Sequence, residues 1–221
     1  MTMPKVAVGL MAAVGVGALL IASPIAAGDT KTETRDVDAF TEIEVRGAVT
    51  LDVTGGKDQK VTVEAPTDYL EKVVTEVKNG KLIIDLERKK SWWGGNDTED
   101  VTVTITVPTL EALDVGGAVD GKLKDIKAEK FSIDVGGAVH VSIDGECGDL
   151  DVDAAGAADI DARDFKCKNA DVDIAGAGNG RIYASESIRA EISGVGSLTI
   201  YGKPAKVKKE INGIGSISDA D

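Results

Sequence analysis

Apolar and polar residues alternate over most of the chain, and glycine interrupts the alternation at nearly constant intervals. The stretch Leu113-Asp114-Val115-Gly116-Gly117-Ala118-Val119 returns, altered, at Ile133 to Val139, Val152 to Ala158, Val172 to Gly178, Ala190 to Gly196 and Lys209 to Gly215. Its key glycines, Gly117, Gly137, Gly156, Gly176, Gly194 and Gly213, lie 20, 19, 20, 18 and 19 residues apart. Two residues before each glycine stand Val115, Val135, Ala154, Ile174, Ile192 and Ile211. Six residues after the first five stand Leu123, Ile143, Ala162, Ile182 and Ile200. A period of two means strands with one buried face. Each unit therefore reads as strand, glycine corner, strand and a short third segment such as Ile126-Lys127-Ala128.

Units this regular bury their apolar face only against their neighbours. The pattern predicts an all-β chain folded as a parallel β-helix, a solenoid of about 19–20-residue rungs. Like positions stack about 4.8 Å apart, and right-handed coiling is the default for parallel crossovers. Glycine at the corners is expected to supply backbone angles closed to other residues. A β-sandwich of hairpins is the competing fold, but it needs no fixed register.

Phe40 to Val53 matches the repeat as a first rung, with Gly47 as its corner. Residues 54–110 break the register. Val73 to Lys78 and Lys81 to Glu87 flank Asn79-Gly80, a strong hairpin signal. Val101 to Val107 alternates strictly and stops at Pro108. This antiparallel hairpin section is expected to cap the N-terminal end of the coil. Residues 1–27 carry one charge, Lys5, and an apolar run from Val6 to Ala22, then Ser23-Pro24-Ile25-Ala26-Ala27. That composition predicts a signal peptide cleaved after Ala27; the rival is a transmembrane anchor, for which a run broken by Gly9, Gly15 and Gly17 is short. Residues 28–35 are polar and expected to be flexible, and residues 36–221 form one β-helical domain.

Composition narrows the function. Thirty-eight acidic against 25 basic side chains give a formal net charge of −13, which argues against nucleic acid or an anionic membrane as partner. No phosphate-binding loop, dinucleotide fingerprint or zinc spacing occurs. His140 is the one histidine, and a catalytic triad would have to pass through it; its place in a polar column makes it an exposed rung residue. Rungs of this length leave no room for the long loops that build a polysaccharide-cleaving cleft.

Phe40 to Gly47, the Asn79-Gly80 hairpin, the Val101 to Pro108 strand and the glycine-cornered repeats resemble the bacterial family called the putative auto-transporter adhesin head GIN domain. The resemblance covers about residues 36 to 218. It implies an exported β-helical domain and brings no catalytic residues.

Three groups remain as candidate chemistry. Three residues before each corner stand Glu44, Asp114, Asp134, Asp153, Asp173, Glu191 and Glu210, all acidic, with Asp151 and Asp171 widening the stripe. This ladder reads either as a solubilising face or as a weak site for Ca²⁺ or a cationic partner; no other cofactor is implied. Cys147 and Cys167 each lie nine residues before a corner, so they are expected to stack, alongside Ala128 and Ser185, either as a disulfide or as two small buried residues. Trp92 and Trp93 read either as a ligand contact or as a plug over the coil end. Lys203, Lys206, Lys208 and Lys209 read as edge protection. The expected function is an exported, non-enzymatic, adhesin-like module binding a glycan or an envelope protein in the periplasm, at the surface or outside the cell. The alternatives are a structural protein that forms homo-oligomers and a polysaccharide-active enzyme.

Overall fold

The computed structural model describes residues 30–86 and 100–220. In chain order the strands are β1 (Thr30–Arg35), β2 (Glu42–Val45), β3 (Ala48–Gly55) and β4 (Lys60–Pro66). One helical turn, α1 (Thr67–Leu70), precedes β5 (Val73–Lys78), β6 (Lys81–Leu86), β7 (Thr102–Val107) and β8 (Ala112–Val115). Four long strands follow that bend through the rungs: β9 (Ala118–Val135), β10 (Ala138–Ala154), β11 (Ala157–Ile174) and β12 (Ala177–Ile192). β13 (Val195–Tyr201), β14 (Lys206–Ile211) and β15 (Ile214–Asp219) complete the set.

These strands stack as a parallel β-solenoid. Successive repeats pair in register, Val115 with Val135, Val135 with Ala154, Ala154 with Ile174 and Ile174 with Ile192. The coil has two long faces that meet at the glycine corner. Before the corner, the stack runs β5, β6, β2, β8, β9, β10, β11, β12, β14. After it, the stack runs β1, β4, β7, β3, β9, β10, β11, β12, β13, β15. The alternation in sequence becomes an inward row of buried Val, Ile and Leu and an outward row of polar side chains. Among the described residues no charged or polar residue is buried, so the lumen is closed by apolar burial alone.

Three expectations change. None of the corner glycines has a positive φ; positive values occur at Gly56, Gly80, Gly145 and Gly202. The corner demands glycine because of close approach. The Ala138 amide donates to the Gly117 carbonyl at 2.9 Å, and a Cβ on Gly137 would overlap that same oxygen. The same overlap repeats at every corner from Gly117 to Gly213.

Within residues 28–35, expected to be flexible, the described part Thr30–Arg35 is β1, which pairs antiparallel with β4 from Thr30 opposite Pro66 to Arg35 opposite Val61. The Arg35 guanidinium anchors it by donating to the Leu70 carbonyl at 2.8 Å. Nothing in the polar composition of this stretch reveals that partner.

The N-terminal cap is only partly antiparallel. β6 runs parallel to β2 and β7 parallel to β3, so they form one more layer of the coil. The direction reverses beyond them, at β5 on β6 and β4 on β7. The tight turn joining β5 to β6 holds Asn79 and Gly80 at positive φ, as its Asn-Gly sequence requires.

Candidate functional site

Seven acidic residues three positions before the corners fall into one continuous row. Glu44 pairs with Asp114, Asp114 with Asp134, Asp134 with Asp153, Asp153 with Asp173, Asp173 with Glu191 and Glu191 with Glu210. Each stands between two inward positions of its own strand, so all seven side chains leave the pre-corner face on the outside. Asp151 and Asp171, paired with each other, form a second acidic row two residues upstream.

The row is neutralised at its ends and bare in its middle. Arg46 Nε donates to Glu44 Oε1 at 2.6 Å. Lys81 pairs with Asp114 and lies 3.3 Å from Glu42 Oε2; the hydrogen bond to Asp114 raises the Lys81 pKa. Arg189 bonds Asp171 at 3.0 Å and Glu191 at 2.6 Å. Lys208 lies 3.7 Å from Glu210. Among the described residues, no basic side chain pairs with Asp134, Asp151, Asp153 or Asp173.

That imbalance perturbs the middle carboxyls. Asp134 is pushed above the ordinary carboxylate range by partial desolvation, then by the charges of Asp114 and Asp153. Asp151 is raised by desolvation and by Asp153 and Asp171. Asp173 Oδ1 is shut off from solvent without a hydrogen-bond partner.

Beside the row runs a groove of about 910 Å³ that follows the pre-corner face from Glu42 to Lys208. A hydrogen-bonded line of polar side chains forms its floor: Asn169 donates to Asp149 Oδ1 at 2.9 Å and Ser187 donates to Asn169 Oδ1 at 2.6 Å. Acid dominates its N-terminal part, and Arg189, Lys206 and Lys208 line its C-terminal end. Among the described residues no group of three or more His, Cys, Asp or Glu side chains converges to hold a metal ion. Carboxylates in a row each face outward, whereas a tight Ca²⁺ site needs six to eight oxygens aimed at one point.

A second groove of about 840 Å³ lies after the corner. Ala48, Ala118, Ala138, Ala157 and Ala177 line it as a stacked column. His140 stands at its side, 64 % exposed, with Nδ1 3.3 Å from Asp159 Oδ2. Arg181 shares that carboxylate at 3.5 Å. This is a surface contact between stacked polar residues and offers no nucleophile to the imidazole.

Cys147 and Cys167 face each other in register on β10 and β11. They form a disulfide between adjacent rungs, with Cα atoms 4.4 Å apart. Ala128 stacks below Cys147. Above Cys167 stands Ala184 in place of the expected Ser185, because the pairing of β11 with β12 shifts register on both sides of Cys167, after Ala162 and before Asn169. Trp92 and Trp93 and the predicted signal segment 1–27 lie outside the described residues.

The repeat pattern in the sequence does not reveal the groove and its counter-charges. Lys81 reaches the acidic row because β6 stacks on β2, and that pairing lies outside the repeat. Arg189 is legible afterwards: its column reads Asp151, Asp171, Arg189, Lys208, a change of sign along the coil.

Comparison with known proteins finds one family and several solved structures similar to this chain. A family model described as "Putative auto-transporter adhesin, head GIN domain" matches residues 39–204. A putative adhesin from Bacteroides fragilis is 20 % identical, with 87 % of this chain and 97 % of that one covered and a TM-score of 0.66. A structure titled putative lipid binding protein, from Parabacteroides distasonis, is 21 % identical over 88 % of this chain and 98 % of its own, with a TM-score of 0.48. A putative cell adhesion protein from Clostridium sporogenes is 15 % identical over 86 % and 99 %, with a TM-score of 0.35. No curated protein matches. No described helix is long and apolar enough to cross a membrane.

Proposed function

Since the chain belongs to the family described as putative auto-transporter adhesin, head GIN domain, we propose that it is an exported, non-enzymatic binding module of the bacterial envelope. The signal-like composition of residues 1–27 supports export. The disulfide between Cys147 and Cys167 supports an oxidising compartment, periplasmic or extracellular.

The ligand lies along the pre-corner face, over the acidic rows and the groove beside them, as an extended, amine-bearing glycan. One observation carries this reading: among the described residues Asp134, Asp151, Asp153 and Asp173 stand in stacked rows without a basic partner, while the same rows are neutralised at both ends. Stacked like charges repel, so spaced ammonium groups on a polymer relieve a repulsion that the protein leaves in place. The hydrogen-bonding floor of Asp149, Asn169 and Ser187 suits sugar hydroxyls. Ca²⁺ occupies the same rows weakly and competes with the polymer.

The test is retention of the exported chain on immobilised partially deacetylated chitin, with fully acetylated chitin as control. Retention on the amine-bearing polymer alone is expected, without release of reducing sugar, and Ca²⁺ should elute the chain at lower ionic strength than Na⁺. The combined variant Asp134→Asn, Asp153→Asn, Asp173→Asn should no longer be retained. Equal retention of that variant overturns the site, and sugar release overturns the non-enzymatic reading.

A further inference from the structure

Among the described residues four strands close the two faces of the coil: β5 and β1 at the N-terminal end, β14 and β15 at the C-terminal end. An open strand edge invites pairing with another chain, and charges along it are the usual protection. β1 carries Lys31, Glu33 and Arg35; β5 carries Glu76 and Lys78; β14 carries Lys206, Lys208, Lys209 and Glu210. β15, Ile214-Gly215-Ser216-Ile217-Ser218-Asp219, has a single charge, at its last residue. Lys209 already holds that charge, donating to both Asp219 oxygens at 2.8 Å across the mouth of the lumen.

The exposed apolar surface gathers at the same end. Among the described residues the exposed large hydrophobics are Val195, Val207, Ile211 and Ile214, at 54, 45, 44 and 75 %. Val195 and Ile214 are neighbours in register on β13 and β15. They replace, with larger side chains, the alanines that fill this outward column in the earlier rungs. Val207 and Ile211 belong to inward columns and rim the mouth.

We propose that β15 is a self-pairing edge: two copies of this chain join end to end through antiparallel β15 strands related by a two-fold axis, making one sheet continuous across both coils. The strand is complementary to itself. Pairing about Ser216 sets Ser216 against its own copy, Ile214 against Ser218 of the second copy and Gly215 against Ile217 of the second copy. No like charges meet along the pairing, whereas two β14 strands would bring lysines together. A second copy also covers Val207 and Ile211 with its own mouth, which a single extended peptide on β15 does not reach. A two-fold contact closes on itself, so association stops at the dimer. One strand pair and one lumen mouth make a small interface, below the standard size of stable complexes, so the dimer is reversible.

Sedimentation velocity of the exported chain over a concentration series tests this. The weight-average mass should rise from one chain to two and level there. Added NaCl should favour the dimer, because it screens Lys206 and Lys208 at the rim. That is opposite to its effect on glycan retention, and Asp134, Asp153 and Asp173 stand on the pre-corner face while β15 closes the other one, so either proposal can fail without the other. Ser216→Lys gives β15 the protection its three counterparts carry. Ser216 is exposed, so the variant should fold with an unchanged melting temperature at low concentration and remain monomeric throughout. Ile214→Ser should weaken the dimer without abolishing it. A wild-type chain that stays monomeric at every concentration overturns the proposal. So does growth beyond two copies, or a Ser216→Lys variant that dimerises like the wild type.

Discussion

At its N-terminal end the coil stops by reversing direction, with β4 and β5 antiparallel to the layer beneath and β1 and α1 packed beyond. At its C-terminal end the last described rung, β14 and β15, keeps the parallel direction of the body. Val61, Val63, Ala65 and Leu82 in the first end are fully buried, whereas the equivalent inward residues Val207 and Ile211 are nearly half exposed. A solenoid rung is stabilised from both sides by its neighbours. Reversal lets the cap bring side chains back over the lumen, whereas a rung that simply ends leaves its inward residues uncovered. The N-terminal end is thus core, and the C-terminal end is surface.

The corner glycines give the largest expected contrast. Gly117 sits between Gly47 and Gly137, with strands stacked on both sides, so Gly117→Ala forces the stack apart and should cost about 3 kcal/mol or more. Gly213→Ala makes the same overlap with the Gly194 carbonyl, but no described rung lies above it to resist a shift, and it should cost about 1 kcal/mol. Urea midpoints of the two variants measure the difference; equal losses would mean that the last rung is held as firmly as the body.

Next in size are matched apolar truncations. Leu82→Ala removes a fully buried side chain from the cap and should destabilise by about 3 kcal/mol. Ile211→Ala at the open mouth should lose less than about 1 kcal/mol in the monomer. A large loss at Ile211 would show that something covers the mouth even in dilute solution.

The smallest effect distinguishes the middle of the acidic row from its ends. The raised pKa of Asp134 means that folding favours its neutral form. That stabilisation is present below the ordinary carboxylate range and is lost as pH rises through the raised value. At neutral pH the wild type therefore carries a repulsion that Asp134→Asn lacks, and the variant should melt a few degrees higher, with the gain vanishing toward about pH 4. Glu44→Gln, which removes the ion pair with Arg46, should show no gain. A melting temperature for Asp134→Asn that is unchanged across pH would mean that solvent already screens the row.

The sequence by itself determined the repeat, the inward and outward columns and the register of the acidic row. It also placed Cys147 opposite Cys167. All of these follow from a local alternation tied every 18 to 20 residues to a glycine, and parallel stacking copies that local pattern from rung to rung. Tertiary structure decided what the repeat does not encode. β6 and β7 run parallel to the rungs although their sequences read as hairpin and cap strands, because direction is set by the layer they land on. Lys81 meets Asp114, and the polar β1 orders against β4, through pairings 33 and about 30 residues apart that no periodicity announces. Even the corner glycine owes its necessity to a carbonyl one rung below rather than to its own backbone angles. Close approach between strands exists only once the coil is wound.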